Sequence, residues 1–440
     1  MMKAKTFAAA LAASLSLFAP FPDAPAYLAP LRAVAHAEDE VPPPAIETDL
    51  GTPLPLRTYM VYSCPEWQTV KKHFSGILID GPTEGRLPLT VALEGYSVEE
   101  SKFEEEDLDI IKSLYVHRAD SLAVSFAESN AAYGGGMRGR YAVFGRNFDT
   151  ATGAALTMDD VFTDRKMLAN ELAMLLNRNY PEEPFYTHEQ AVLADIVEKH
   201  LEQDVEYWTL DPCGATFYFP PGVLAADPYG PICTATVLFD GFPALFRDKY
   251  RHAPDQWCME LEPRMPMRVM LGDSVLNTLE VASDTNGLHI IRCGAAAESR
   301  DGIIAREEAV FTENVRLNGI HPVFVKMRDG RKYLYVDCHL APDPADYEKG
   351  HDPQTMAELE NRHELRVYDL TGSDIRRVEC DSRFTMRNEL IHDESAPKDW
   401  LVMTDPEDFK LNVTGVPLKD AHRRCRVGAD GAPEVIEVIR

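Results

Sequence analysis

From Met259 to the C-terminus the chain is cut into short stretches rich in β-branched and aromatic residues: RVMLG, NTLEVAS, LHIIRCG, HPVFVKM, KYLYVDCHL, HELRVYDL, IRRVEC, WLVMT, FKLNVT and VIEVIR. DG, NG and TG pairs separate them. Stretches this brief do not reach helix length, and their alternation suits strands that bury one face, so the segment predicts an all-β unit, a sandwich or a few propeller-like blades. RKYLYVDCHL and HELRVYDLTGSDIRRVE are blade-like, but no strict repeat period runs through them, which argues against a full propeller.

The first half reads differently. SLAVSFAE and RYAVFGRNFD alternate with period two on either side of YGGGMRGRY, Tyr133 to Tyr141. The GGGMRG within it matches the G-x-G-x-x-G of dinucleotide loops, yet such a loop must run from a strand into a helix whose free N–H groups hold the phosphates. Here a strand follows, so the glycines predict a hairpin turn. Two amphipathic helices are expected over 165–178 and 187–206, with Pro181 and Pro184 between them. Strands are expected over 58–64, 215–219 and 232–239, short helices over 66–74 and 242–250, and a solvated acidic helix face over 94–114. The fold class predicted is α+β: a mixed sheet covered by two or three helices over 56–255, followed by an all-β domain over 259–440.

At 440 residues and 45% hydrophobic content the chain can bury a large core, and its length favours two domains. Lys3 and Lys5 precede the apolar run TFAAALAASLSLFA, and Ala35-His36-Ala37 supplies a small-residue cleavage site, the layout of an exported signal over 1–37. The run is too short to span a bilayer as a helix. Residues 38–55 are Pro-rich and acidic, a flexible leader. The formal charge is -27, and the 37 residues before the cleavage site carry a net +2, so cleavage leaves about -29. Such a surface repels nucleic acid and anionic lipid and favours cationic partners. The eight cysteines contain no C-x-x-C, which excludes zinc-ribbon and thioredoxin-like patterns. Cys338 and Cys380 are expected on the first and third strands of a meander, about 9.5 Å apart, too far for a disulfide.

The usual catalytic signatures are missing. There is no G-x-S-x-G, and HEQAV and HELRV lack the second His of a zinc helix. SAPK, Ser395 to Lys398, matches S-x-x-K but lies in a Pro-containing stretch with no K-T-G after it. His188 and His200 read as surface residues of one helix, and Asp159-Asp160 as caps at a helix start. Asn412 begins an N-V-T sequon. No catalytic, cofactor-binding or metal-ligating residue is predicted, and no cofactor.

Three stretches then carry a resemblance: VHRADSLAVSF; YGGGMRGRYAVFGRNFDTATGAALTMDDVFTD; and WTLDPCGATFYFPPGVLAADPYGPICTATVLFDGFPALFRDKY. Together they resemble the extracytoplasmic domain family shared by RsiV-type anti-sigma factors and PdaC-type peptidoglycan deacetylases. The resemblance spans about Val116 to Tyr250, and 56–116 is similar to the half that precedes it in the family. It implies an α+β fold outside the cytoplasm and, for RsiV-like members, binding of lysozyme, a cationic protein. Met137 stands where the family's glycine loop carries a His, and Gly222 where a Tyr follows FYFPP, with Tyr229 a few residues on. The deacetylase domain's T-F-D-D-G and H-x-x-x-H are absent. The chain is therefore expected to be an exported, non-enzymatic envelope protein that binds a lysozyme-type protein or cell-wall polymer. The alternative is an envelope hydrolase with its site between the two domains.

Overall fold

The computed structural model describes residues 52–63, 72–79, 86–94, 109–133, 140–181, 183–203, 207–227, 230–252, 254–263, 278–284, 287–298, 304–350, 355, 359, 362–380, 385–387, 401–412 and 422–439. The signal segment, residues 38–51 of the leader, the GGGMRG stretch, Tyr229, the expected strand RVMLG and SAPK lie outside them, whereas the last four leader residues, 52–55, are held against Ala119 to Ser121 with Leu54 buried, and are no part of a flexible leader.

Five strands form the first sheet in the order of the chain: β1 (Leu56–Ser63), β2 (Lys72–Ile79), β3 (Asp109–Ala119), β4 (Ala123–Tyr133) and β5 (Arg140–Asp149). The sheet is mixed, because β2 and β3 run parallel while the other neighbours are antiparallel. A parallel pair needs a crossover, and helix α1 (Leu87–Glu94) lies in that connection. Its Leu89 and Leu93 pack with Ile77, Leu114, Val124 and Phe126 of the sheet. Strands β4 and β5 pair antiparallel up to Ala132 and Arg140, so the glycine stretch does join two paired strands. It does not lead into a helix.

A second, antiparallel sheet holds β6 (Trp208–Asp211), β7 (Gly214–Phe219) and β8 (Cys233–Leu238). The short α2 (Met158–Val161) and the two long helices, α3 (Arg165–Asn179) and α4 (Gln190–Leu201), precede it. Leu168, Leu172 and Leu176 of α3 and Leu193 and Val197 of α4 recur at helical spacing and bury against Trp208, Phe217 and Val237. The helix pair thus covers the three-stranded sheet, not the mixed one. Asp164 caps α3 by accepting from the Met167 N–H at 2.9 Å. The Asp160 carboxylate accepts from the Thr157 N–H and hydroxyl at 2.8 and 2.7 Å, the reach-back half of a capping box, so this carboxylate ties a helix start.

The remaining strands form three open antiparallel sheets. One holds β9 (Trp257–Glu260), β13 (Leu317–Lys326), β14 (Lys332–Leu340), β15 (Arg362–Asp369) and β16 (Arg376–Val378), with β17 (Thr385–Arg387) also on β15. A second holds β10 (Thr278–Asp284), β11 (Gly287–Glu298) and β12 (Ile304–Glu313). The third holds β18 (Leu401–Val402), β19 (Phe409–Asn412), β20 (His422–Val427) and β21 (Pro433–Ile439). A short α5 (Pro344–Glu348) follows β14. One apolar cluster draws on both halves of the chain, joining Ala127 and Val143 to Tyr218, Trp257, Met259, Leu261, Phe324 and Tyr368.

Among the described residues the chain is β-rich and none of the sheets closes, so the α+β expectation is met only in part. Phe74 belongs to β2 rather than to a helix, and 109–114 belong to β3 rather than to a solvated helix face. The helix expected over 242–250 is two 3-10 turns, Pro243–Leu245 and Asp248–Tyr250. Strands β6, β9, β12, β17 and β20 were not among those expected from sequence. Cys338 lies on β14 and Cys380 just past β16, two strands over, and both are free, like the other four cysteines whose state is described. Among the described residues no helix is long and apolar enough to cross a membrane.

Two predictions follow from this packing. Strand β6 crosses the first sheet at Gly145, where an added Cβ would fall inside the Trp208 carbonyl, a backbone group unable to swing aside. Gly145→Ala is expected to destabilise the protein by about 3 kcal/mol or more, read from the urea midpoint. His200 is buried, not at the surface; burial pushes its pKa down to about 4, although its Nε2 bond to the Tyr218 carbonyl opposes the shift. A depressed histidine pKa means that the unfolded chain binds the proton first. Stability should therefore fall as the pH drops from about 6.5 towards about 4, by on the order of 3 kcal/mol, and His200→Phe should remove that acid loss.

Candidate functional site

His117 lies at a break in the strand pairing. Val116 pairs with Phe126 and Arg118 with Ser125, leaving His117 as the extra residue of a β-bulge in β3. Bulges re-aim a side chain and free a backbone group from the ladder. Both consequences are present. The Val116 N–H donates to Glu260 Oε2 of β9 at 2.6 Å, tying the first sheet to the six-stranded one. The His117 ring turns inward, with Nδ1 2.9 Å from both Asp211 Oδ1 and Thr209 Oγ1 on β6.

Asp211 gathers this network. Its Oδ1 accepts from the Thr209 hydroxyl at 3.0 Å and its Oδ2 from the Thr216 hydroxyl at 2.5 Å, while Thr216 and Thr236 meet at 2.9 Å. A carboxylate that accepts from both threonines also accepts from the His117 Nδ1–H, which fixes the tautomer and leaves Nε2 as the nitrogen without a partner. Glu262, three residues after Met259, is fully buried and neither carboxylate oxygen has a well-formed hydrogen bond. Burial pushes its pKa up to about 7, against the pull of His117 and of the Tyr218 hydroxyl, with the Asp211 charge adding to the rise.

A second row of titratable groups crosses the adjoining strands. His321 of β13 stands opposite Asp337 of β14, and its Nε2 is 3.3 Å from Glu260 Oε1. Burial pulls the His321 pKa down, but Glu260 and then Asp337 hold it above the ordinary value. Asp337, only 2% exposed, accepts from His363 Nδ1 at 2.9 Å, and His363 stacks on His339 with ring centroids 4.6 Å apart. Carboxylate and imidazole thus alternate over four strands. Among the described residues no group of three or more such side chains has the arrangement to hold a metal ion.

The residues weighed from sequence fall elsewhere. His188 is exposed and bonded to Asn177 and the Glu183 carbonyl. Asp159 pairs with Arg165 near the start of α3. The HELRV stretch is strand β15, so no helix face exists there. Gly222 takes a positive φ of 87° in the turn after β7. Asn412 ends β19. The buried network was not singled out from sequence. A signal existed in WCMELE, where two carboxylates interrupt an apolar strand, and in the His of VHRAD, but no local pattern links them to Asp211.

Asp211→Ala should destabilise the protein by about 3 kcal/mol, because it removes the acceptor that the His117 imidazole and two threonine hydroxyls share in the interior. Asp211→Asn, which keeps the shape and part of the acceptor capacity, should cost less. Chemical denaturation of both variants checks the order.

No family model matches the sequence, and no curated protein does. Among solved structures the chain is similar to a member of the DUF3298 family from Bacteroides fragilis, at 15% identity and a TM-score of 0.34, over 45% of this chain and 96% of that one. It is also similar to a DUF3298 family protein from Pseudomonas aeruginosa, at 14% identity and a TM-score of 0.32, over 46% of this chain and 98% of that one. DUF3298 is the family of the RsiV-like domain.

Proposed function

We propose that the chain is an exported cell-envelope binding protein without catalytic activity of its own, recognising a cationic partner such as a lysozyme-type protein, or cell-wall polymer. The observation that carries this reading is the burial of its acid–base groups. Thr209, Asp211, His117 and Glu262 are each 0% exposed, so no polymer chain reaches the groups best suited to proton transfer. A general acid or base must come within hydrogen-bond reach of its substrate. What meets solvent is a surface of strong negative charge, from a chain of formal charge -27. Such a field raises the encounter rate with a basic protein and is screened by salt.

One observation favours the competing reading, an envelope hydrolase. His117 Nε2 and the Glu262 carboxylate are unpartnered, and a raised carboxyl pKa beside a His–Asp pair is the usual equipment of acid–base catalysis. That reading requires the interior to open to substrate.

Titration with lysozyme at low and at high salt separates the two. Association at low salt that weakens at high salt is expected, together with no release of fragments from peptidoglycan. Absence of association at low salt would sink the lysozyme version. Peptidoglycan turnover that disappears in His117→Asn would replace binding with hydrolysis.

A further inference from the structure

We propose that the seam between the mixed sheet and the six-stranded sheet is a proton-operated latch, closed while Glu262 holds a proton and loosened when that proton leaves. Geometry points to this place before any titration is considered. The bulge at His117 puts an imidazole into the seam, Val116 is tied across it by Glu260, and the Leu261 N–H donates to the Pro322 carbonyl at 2.8 Å on the β13 side. Glu262 follows directly, buried with both oxygens unpartnered, and His117 Nε2 is buried and unpartnered as well. An ionised carboxylate offered no donor but the poorly placed Tyr218 hydroxyl is costly in such surroundings, whereas its neutral acid form costs far less.

The neighbours decide the direction. Around Glu262 and the seam stand Tyr115 and His117 of β3, Asp211 of β6, Tyr218 of β7, Glu260 of β9, His321 of β13, Asp337 of β14 and His363 of β15. Four of these nine groups, counting Glu262, are carboxyls. Ionising Glu262 adds negative charge next to Asp211, which already raises its pKa. A carboxyl raised from 4.5 to about 7 contributes stability that is present in full below about 4.5 and is lost as the pH climbs through about 7. His321 acts in the same sense: held above its ordinary 6.5 by Glu260 and Asp337, it stabilises while protonated and stops doing so as the pH rises through its folded value. Both groups therefore release the seam on the alkaline side. The Glu262 proton alone corresponds to a shift on the order of a hundredfold in the equilibrium between closed and loosened seam.

Hydrogen exchange on the full-length protein tests this. After correction for intrinsic exchange, protection of the Val116 and Leu261 amides should fall by tenfold or more between about pH 5.5 and about pH 8.5. The Leu172 amide, in α3 away from the seam, should change much less. Glu262→Gln, neutral at every pH, should flatten the response at Val116 and Leu261. Seam protection that is independent of pH in the unsubstituted protein overturns the latch, and so does a full response surviving in Glu262→Gln. Should that variant not fold, the comparison of seam amides with Leu172 in the unsubstituted protein decides alone.

Discussion

The buried Asp211 carboxylate is the interaction on which the junction depends. It sits at the end of β6, yet its partners come from β3, β6 and β7, so one side chain fixes how the mixed sheet lies on the three-stranded one. Hydroxyls and an imidazole proton satisfy it together, and a carboxylate taken this far from water is tolerable only with donors supplied in that number. The neighbouring crossing is set by a similar economy. Asn147 donates to the Trp208 carbonyl and accepts from the Leu210 N–H, which pairs the edge of β6 with a side chain where no strand ladder continues.

Against that satisfied group, Glu262 and His117 Nε2 stand out as unpaired. Natural interiors keep few such atoms, and those they keep usually have a task. Here the unpaired atoms lie where two sheets meet and where the backbone departs from regular pairing, so loss of one proton acts on an interface. His200 behaves in the opposite sense within the helical layer, since its neutral form is the buried one. Acid should therefore act on the helices over the three-stranded sheet, and alkali, on the latch proposal, on the seam.

Much of the architecture was legible from sequence. The period-two stretches around the glycines, and those after Met259 that lie among the described residues, became strands, and the leucines of 168–176 and 193–197 became the buried faces of α3 and α4. Errors cluster where composition and tertiary context disagree. The acidic run before Leu114 reads as solvated helix, but Asp109–Ala119 is recruited as the central strand of the mixed sheet, paired on both sides. His200 reads as a surface residue because it is polar and lies near the end of a helix rich in charge, yet Tyr207 stacks on its ring, Phe219 packs tilted against it, and the ring is buried.

The sequence by itself determined many of the strands, the two long helices, the fact that a strand and not a helix follows the glycine segment, and a strongly negative net charge. These are local or additive properties: side-chain alternation, helical spacing and a sum of charges are all carried by neighbouring residues. The site was decided only by the tertiary structure. His117, Asp211 and Glu262 are separated by some fifty to a hundred and fifty positions, and sheet register brings them together. A bulge is one residue out of step between two strands, visible only when both are paired. Burial then changes what the same side chains do, because a glutamate that would be an ordinary charge in water becomes, between two sheets, a group whose proton the fold must account for.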